Sequence, residues 1–281
     1  MQKTTSLFVL SILTLSLSSC ATTQMQPQGT NKVVLSEDVK FDQLNPARGD
    51  KSPAAGTLWG NREEETATGF LLKTTDGFKS PAHIHNVSYR GIVINGLFHN
   101  DDPKAVEMWM PAGSFWTQPA GESHITAAKG VNALAYIEID NGPFLVMPED
   151  EAFDNGQRPV NVDSTNIVWQ NAADLVFNNT QGDKLRGVKV SYLWGETSQL
   201  GLRGNMLKLP AGFNGTLSSQ AADLKAVVIK GDISYNDKSE VKLLKPGSLF
   251  SSKGLYSHKI TCSSDTDCIV YLKADDDFKI Y

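Results

Sequence analysis

The chain has 281 residues, enough for one or two domains with a sizeable apolar core in each. Its 26 Lys and Arg stand against 31 Asp and Glu with no basic block, a balance that speaks against electrostatic capture by nucleic acid or an anionic membrane surface. Five histidines and three cysteines are few, so each one that falls in a pattern carries weight.

The first segment reads as a processing signal. Lys3 supplies a thin positive region, Leu7 to Leu17 an apolar stretch, and Leu17-Ser18-Ser19-Cys20 its end. That stretch, interrupted by Ser11, Thr14 and Ser16, is too short to span a bilayer as a mature helix. The ending resembles the bacterial lipobox, in which the cysteine becomes the lipidated first residue of the mature protein. The resemblance implies loss of residues 1–19, a lipid anchor on Cys20 and export, with Ala21 pointing to the periplasmic side of an outer membrane in a cell that has one. An ordinary secreted protein cut nearby is the alternative. Residues 20–33 then read as the lipidated cysteine and a flexible tether, because Ala21 to Lys32 lack apolar periodicity.

Beyond Val33 the chain shows short strand-like runs between Gly, Pro, Asn and Asp. Gly91-Ile-Val-Ile-Asn95, Ala133-Leu-Ala-Tyr-Ile-Glu-Ile139 and Lys225-Ala-Val-Val-Ile-Lys230 are examples, and no long stretch keeps a helical period with caps. The pattern predicts an all-β fold. Within it, His83-Ile84-His85 places two imidazoles on one face of a strand, since alternate residues point the same way. A His pair on a strand is by itself commonly a surface or core feature. Here Gly77 precedes it by six positions, Gly96 follows, and Gly113, Pro119, Gly121 and His124 come after.

These spacings resemble the two motifs of the cupin superfamily. Both are met with two departures, Tyr89 for the usual Glu and Ala128 for the usual Asn. The resemblance implies jelly-roll barrels (double-stranded β-helices) and a metal held by His83, His85 and His124. Imidazole nitrogens suit Zn, Fe, Ni, Cu and, less well, Mn, and three of them leave positions open for water, dioxygen or a ligand. Tyr89 is a weak ligand at its ordinary pKa. It is expected either to donate a hydrogen bond to a metal-bound water or substrate, or to line the barrel as an ordinary aromatic. Trp109, Phe115, Trp116, Phe98 and Tyr136 are candidate pocket walls or core, and Glu107, Glu122 and Glu138 candidate supporting carboxylates.

The chain also repeats itself. Leu58-Trp59-Gly60 recurs as Leu193-Trp194-Gly195, and at the same offset Gly69 meets Gly204, Gly77-Phe78 meets Gly212-Phe213 and Gly96 meets Gly231. One residue out of step, Gly113-Ser114 meets Gly247-Ser248 and His124 meets His258. Copies of this length imply two tandem barrels rather than a solenoid. The expected division is 34–150 for a barrel with the metal site and 151–281 for a degenerate one, in which Ser218, Gln220 and Leu224 replace His83, His85 and Tyr89. Cys262 and Cys268 flank a polar turn on a hairpin, and an oxidising compartment makes a disulfide the natural pairing.

The whole pattern, with the run 110–124 as its hallmark, resembles an exported bacterial bicupin family of unassigned function. Fold alone does not choose a reaction. The resemblance implies a small-molecule ligand or substrate, one divalent transition metal, and dioxygenase-like, isomerase or other Lewis-acid chemistry. Non-catalytic sensing and a vestigial site are the alternatives, and an edge-to-edge homodimer is admitted.

Overall fold

Runs rich in Val, Ile, Leu, Phe and Tyr, broken by glycine-bearing turns, fold as strands throughout. The computed structural model describes residues 29–175, 185–195, 201–237 and 240–281. The first half contains β1 (Thr30–Val34), β2 (Asp42–Gln43), β3 (Ala54–Trp59), β4 (Thr68–Thr74), β5 (His83–His85), β6 (Tyr89–Asp101), β7 (Phe115–Gln118), β8 (Ile125–Ile139), β9 (Val146–Pro148) and β10 (Val160–Val162). The second contains β11 (Gln170–Asn171), β12 (Lys189–Trp194), β13 (Arg203–Leu209), β14 (Asn214–Ser219), β15 (Leu224–Lys230), β16 (Ile233–Asp237), β17 (Glu240–Leu244), β18 (Leu249–Lys253), β19 (Tyr256–Cys262), β20 (Cys268–Ala274) and β21 (Phe278–Ile280). Helical residues among those described form only short 3-10 turns.

Two jelly-roll barrels result. One is built on a seven-stranded sheet in the order β10-β7-β6-β8-β4-β3-β2, with the β5-β9 pair closing it. The other joins the sheet β1-β18-β15-β20-β13-β12-β11 to a five-stranded sheet, β17-β16-β19-β14-β21. Strand alternation gives each large sheet two apolar faces. Phe70, Leu72, Val93, Ala135 and Ile137 fill the first barrel, while Leu71, Ile92, Ile94 and Tyr136 between them point outward. Ala226 and Val228 fill the second barrel, and Val227 and Ile229 point out. The two outward faces pack on each other as a third core. Full burial of each aliphatic side chain there contributes about 1.5–3 kcal/mol relative to exposure.

A polar knot sits in this seam. Buried Glu138 accepts from Tyr136 Oη (3.1 Å), Tyr271 Oη (2.7 Å) and Arg90 Nε (2.9 Å). Trp59 and Trp194 donate their indole N–H groups to the same two tyrosines, at 3.1 and 2.9 Å. Asp140 takes Arg90 and, across the seam, Lys273. Arg90 also lies 3.8 Å over the Trp194 ring.

The barrels exchange strands. Thr30–Val34 pairs antiparallel with β18 of the second barrel, and Val160–Val162 pairs with β7 of the first. Ser248 Oγ accepts from Ser36 N and Ser114 Oγ from Ser164 N, both at 3.0 Å, so the repeated Gly-Ser turns fasten the crossing segments. The stretch read as tether through residue 33 is therefore strand from Thr30 onward. The expected cut at 150/151 likewise leaves each barrel's outer strand on the wrong side. The reason is that a sheet edge offers unpaired N–H and C=O groups to whichever extended segment passes, and here that segment comes from the neighbouring repeat. Cys262 and Cys268 are joined by a disulfide across the β19–β20 turn. Cys20 and the signal segment lie outside the described residues.

Candidate metal centre

The His-x-His strand β5 is held on both sides. His83 pairs with Pro148 and His85 with Val146 of β9. On the other side His83 and His124 exchange backbone bonds, N to O at 3.1 Å and 3.0 Å, which sets the third histidine directly opposite the first. The Pro-x-Gly turn delivers it there. Gly121 has φ of +77°, its N–H donates to the His85 carbonyl at 2.9 Å, and a Cβ would come within 2.4 Å of the Phe153 carbonyl oxygen. Only glycine fits such a position.

The three rings converge, with centroid separations of 4.3 Å (His83–His124), 5.0 Å (His83–His85) and 5.2 Å (His85–His124). Each presents Nδ1 to a main-chain carbonyl: His83 to Pro81 (2.9 Å), His85 to Leu145 (2.7 Å) and His124 to Glu122 (3.1 Å). A carbonyl can only accept, so the bonds assign the proton to Nδ1 and leave the Nε2 lone pairs free. Burial pushes all three pKa values down, His85 to about 3 and His124 well below 6.5. The trio is therefore neutral near pH 7, the form that binds metals.

Tyr89 lies beside this group, with Oη 3.3 Å from His124 Nε2. Its proton is committed elsewhere. The Glu122 carbonyl accepts from Gln118 Nε2 (3.1 Å), so Gln118 turns Oε1 toward Asn100 Nδ2 (2.9 Å). Asn100 must then present Oδ1 to Tyr89 Oη (2.8 Å) and Thr126 Oγ1 (2.7 Å). Tyr89 thus faces the histidines with lone pairs. Burial raises its pKa, so it stays a phenol.

A cavity of about 170 Å³ opens against His83, His85 and Tyr89, walled by Phe70, Leu72, Phe78, Trp116, Ile137 and Phe144. Phe144 stacks on His85 at 4.3 Å between centroids. Of the five aromatics offered as pocket wall or core, Trp116 lines the cavity. Phe98 packs in the barrel core, Phe115 and Tyr136 face the seam, and Trp109 sits under Lys129. Glu138 is in the seam knot, Glu107 bonds Trp109 on the surface, and Glu122 serves through its carbonyl. In the second barrel His258 is buried, with Nδ1 2.8 Å from Tyr235 Oη and Nε2 3.0 Å from Ser252 Oγ. Both nitrogens are occupied by the protein. Among the described residues no second cluster of metal-ligating side chains matches the His83–His85–His124 group.

The sequence matches, over residues 32–281, the family described as Domain of unknown function (DUF4437). The chain belongs to the DUF4437 family. No curated protein matches it. Among solved structures, a candidate dioxygenase from Nostoc punctiforme is 15% identical with a TM-score of 0.64, covering 90% of this chain and 84% of its own. Salicylate 1,2-dioxygenase from Pseudoaminobacter salicylatoxidans is 14% identical with a TM-score of 0.56, covering 88% of this chain and 81% of its own. A Bacillus subtilis oxalate decarboxylase variant is 13% identical with a TM-score of 0.51, covering 90% and 78%. These likenesses place the DUF4437 chain in the cupin fold.

In this DUF4437 protein the donor set suits a transition metal. The candidate ligand atoms lie within 4.8 Å of one another, so small ring rotations bring all three to bonds of about 2.1 Å. Three neutral nitrogens without a carboxylate favour Zn, Fe or Ni over the oxygen-seeking Ca and Mg. Sequence reasoning missed Phe144, Asn100 and Gln118. The inward parity of Asn100 with Phe98 along β6 was the one available signal.

Proposed function

We propose that this protein is an exported metal-binding bicupin in which His83, His85 and His124 hold one divalent transition metal (Zn, Fe, Ni or Mn), with a small oxygen-bearing molecule reacting beside it. The observation that carries this reading is three neutral imidazoles, each tied through Nδ1, whose candidate ligand atoms lie within 4.8 Å of one another, with His83 and His85 opening on the cavity. A divalent ion bound there supplies Lewis acidity or, if redox-active, the electron transfer that dioxygen chemistry needs. The chain's own residues position and shield. Phe144 covers one face of His85, and Phe70, Leu72 and Ile137 keep the cavity apolar and poor in water. Tyr89 Oη accepts a hydrogen bond from a water or ligand hydroxyl and fixes its orientation.

Among the described residues that line the cavity none is Asp or Glu. No carboxylate is therefore placed to move a proton, which favours oxygenation over isomerisation. The same lack supports a second reading, a non-catalytic binding or sensing lipoprotein. The dioxygenases and decarboxylase among the structural neighbours support a small-molecule ligand in either case. The Cys262–Cys268 disulfide supports export, and a lipid on Cys20 completes the proposal.

Elemental analysis of the purified protein beside His83→Ala/His85→Ala tests the centre. About one ion per chain is expected in the first and none in the second, while equal substoichiometric metal in both overturns the reading. Oxygen consumption on adding small enols and diketones then separates enzyme from sensor.

A further inference from the structure

One wall of the cavity is a short strap that contributes Leu44, Asn45, Arg48 and Pro53. Residues Leu44 to Pro53 leave β2 and return to β3, closed at the base by Leu44 N to Pro53 O (2.9 Å) and Asn45 N to Ser52 Oγ (2.9 Å). Between them runs the 3-10 turn Pro46–Lys51, capped by the Asn45 side chain on Ala47 N. The turn carries Arg48, half-buried and lining the same cavity as His83 and His85. No carboxylate pairs with Arg48 among the described residues.

The charge count is one-sided. A divalent ion held by three neutral imidazoles would, together with Arg48, face a cavity whose described lining holds no acid. Among the other polar groups of the lining, Ser80 Oγ accepts from Thr126 N and Thr126 Oγ1 donates to Asn100, while Tyr89 Oη donates to Asn100 and keeps lone pairs toward the site. The remaining wall is apolar, and a void of about 150 Å³ so lined accommodates a benzene ring.

Resting on the metal-centre reading, we propose that the cavity takes a small monocarboxylate whose apolar body is about one ring in size, with Arg48 as the specificity-determining residue that pairs with the carboxylate.

The test titrates benzoate and its neutral isostere benzamide into protein loaded with Co(II), reading cobalt absorption and tryptophan fluorescence. Benzoate should bind at least about tenfold more tightly than benzamide. Arg48→Met should weaken benzoate about ten- to a hundredfold and leave benzamide unchanged, with Arg48→Lys recovering part of the loss. An unaltered melting temperature shows that the variant is folded. Equal affinity for the pair, no benzoate binding at millimolar concentration, or full affinity in Arg48→Met overturns the proposal. Failure of the wild type to load cobalt overturns the metal centre instead, and Arg48-dependent benzoate binding in that protein leaves the anion pocket standing.

Discussion

Glu138 is the sharpest place to perturb, because it is one of three carboxylates near enough in sequence to support the site and the structure puts it in the seam instead. It accepts two tyrosine hydroxyls and Arg90 Nε in the seam between barrels. In Glu138→Ala the guanidinium keeps Asp140, so the loss falls toward the lower end of the roughly 3–5 kcal/mol seen when one member of a buried pair is removed. Both hydroxyls also lose their acceptor, at about 1–3 kcal/mol each if nothing replaces it. Tyr136→Phe or Tyr271→Phe in the wild type deletes a bond to a charged group, costing about 1.5–3 kcal/mol. In the Glu138→Ala background the same changes should cost little, because Trp59 and Trp194 are half-exposed and can turn their N–H groups to water. Urea denaturation of the four corners of each cycle measures the coupling, expected at about 1–2 kcal/mol. Metal content should not change in any corner. Additive costs would refute the shared-acceptor argument, and loss of metal without loss of stability would return Glu138 to the site.

Other outcomes follow from the same geometry. The folded-state pKa of His85 is depressed by burial from 6.5 to about 3, so the metal-free protein takes up that proton mainly on unfolding. Its stability is full above about pH 6.5 and declines as pH falls toward 3, read as a falling melting temperature; a rise on acidification would refute the assignment. Tyr89→Phe should keep its metal, since the phenol is no ligand, and lose about 0.5–1.5 kcal/mol with its bond to Asn100. Elemental analysis showing an empty Tyr89→Phe would sink that account. Cys20→Ser should abolish labelling by radioactive palmitate and release the protein from membranes, whereas unchanged labelling would exclude the lipid anchor.

The three-histidine cluster was legible because the cupin spacing is local: two histidines on alternate strand positions and a third after a Pro-x-Gly turn. The carboxylate roles were not, for a reason that lies in β8. Thr126 lines the cavity and Ala128 points into the barrel, yet so do Ala133, Ala135 and Ile137. The facing parity flips between them, at Gly130 and Asn132 with φ of +102° and +56°. Counting by twos from His124 therefore puts Glu138 on the wrong face. A similar slip at Gly96 divides β6, with Val93 and Phe98 both inward. Phe144 was hidden because it arrives from the segment after β8, outside both motifs. The repeat announced two barrels, but Thr30–Val34 and Val160–Val162 are short, and nothing in their composition names a distant partner.

The reciprocal strands bear on how this polypeptide can be dissected. A gene fragment ending near residue 150 would strip Val160–Val162 from β7, and one beginning there would lack the cover that Thr30–Val34 lays on β18. Either fragment would present a bare edge and an uncovered apolar flank to its own copies, the recipe for aggregation. Mixed together, the two fragments carry every strand that each other lacks, so co-expression rather than separate purification is the way to recover them as a nicked but intact assembly.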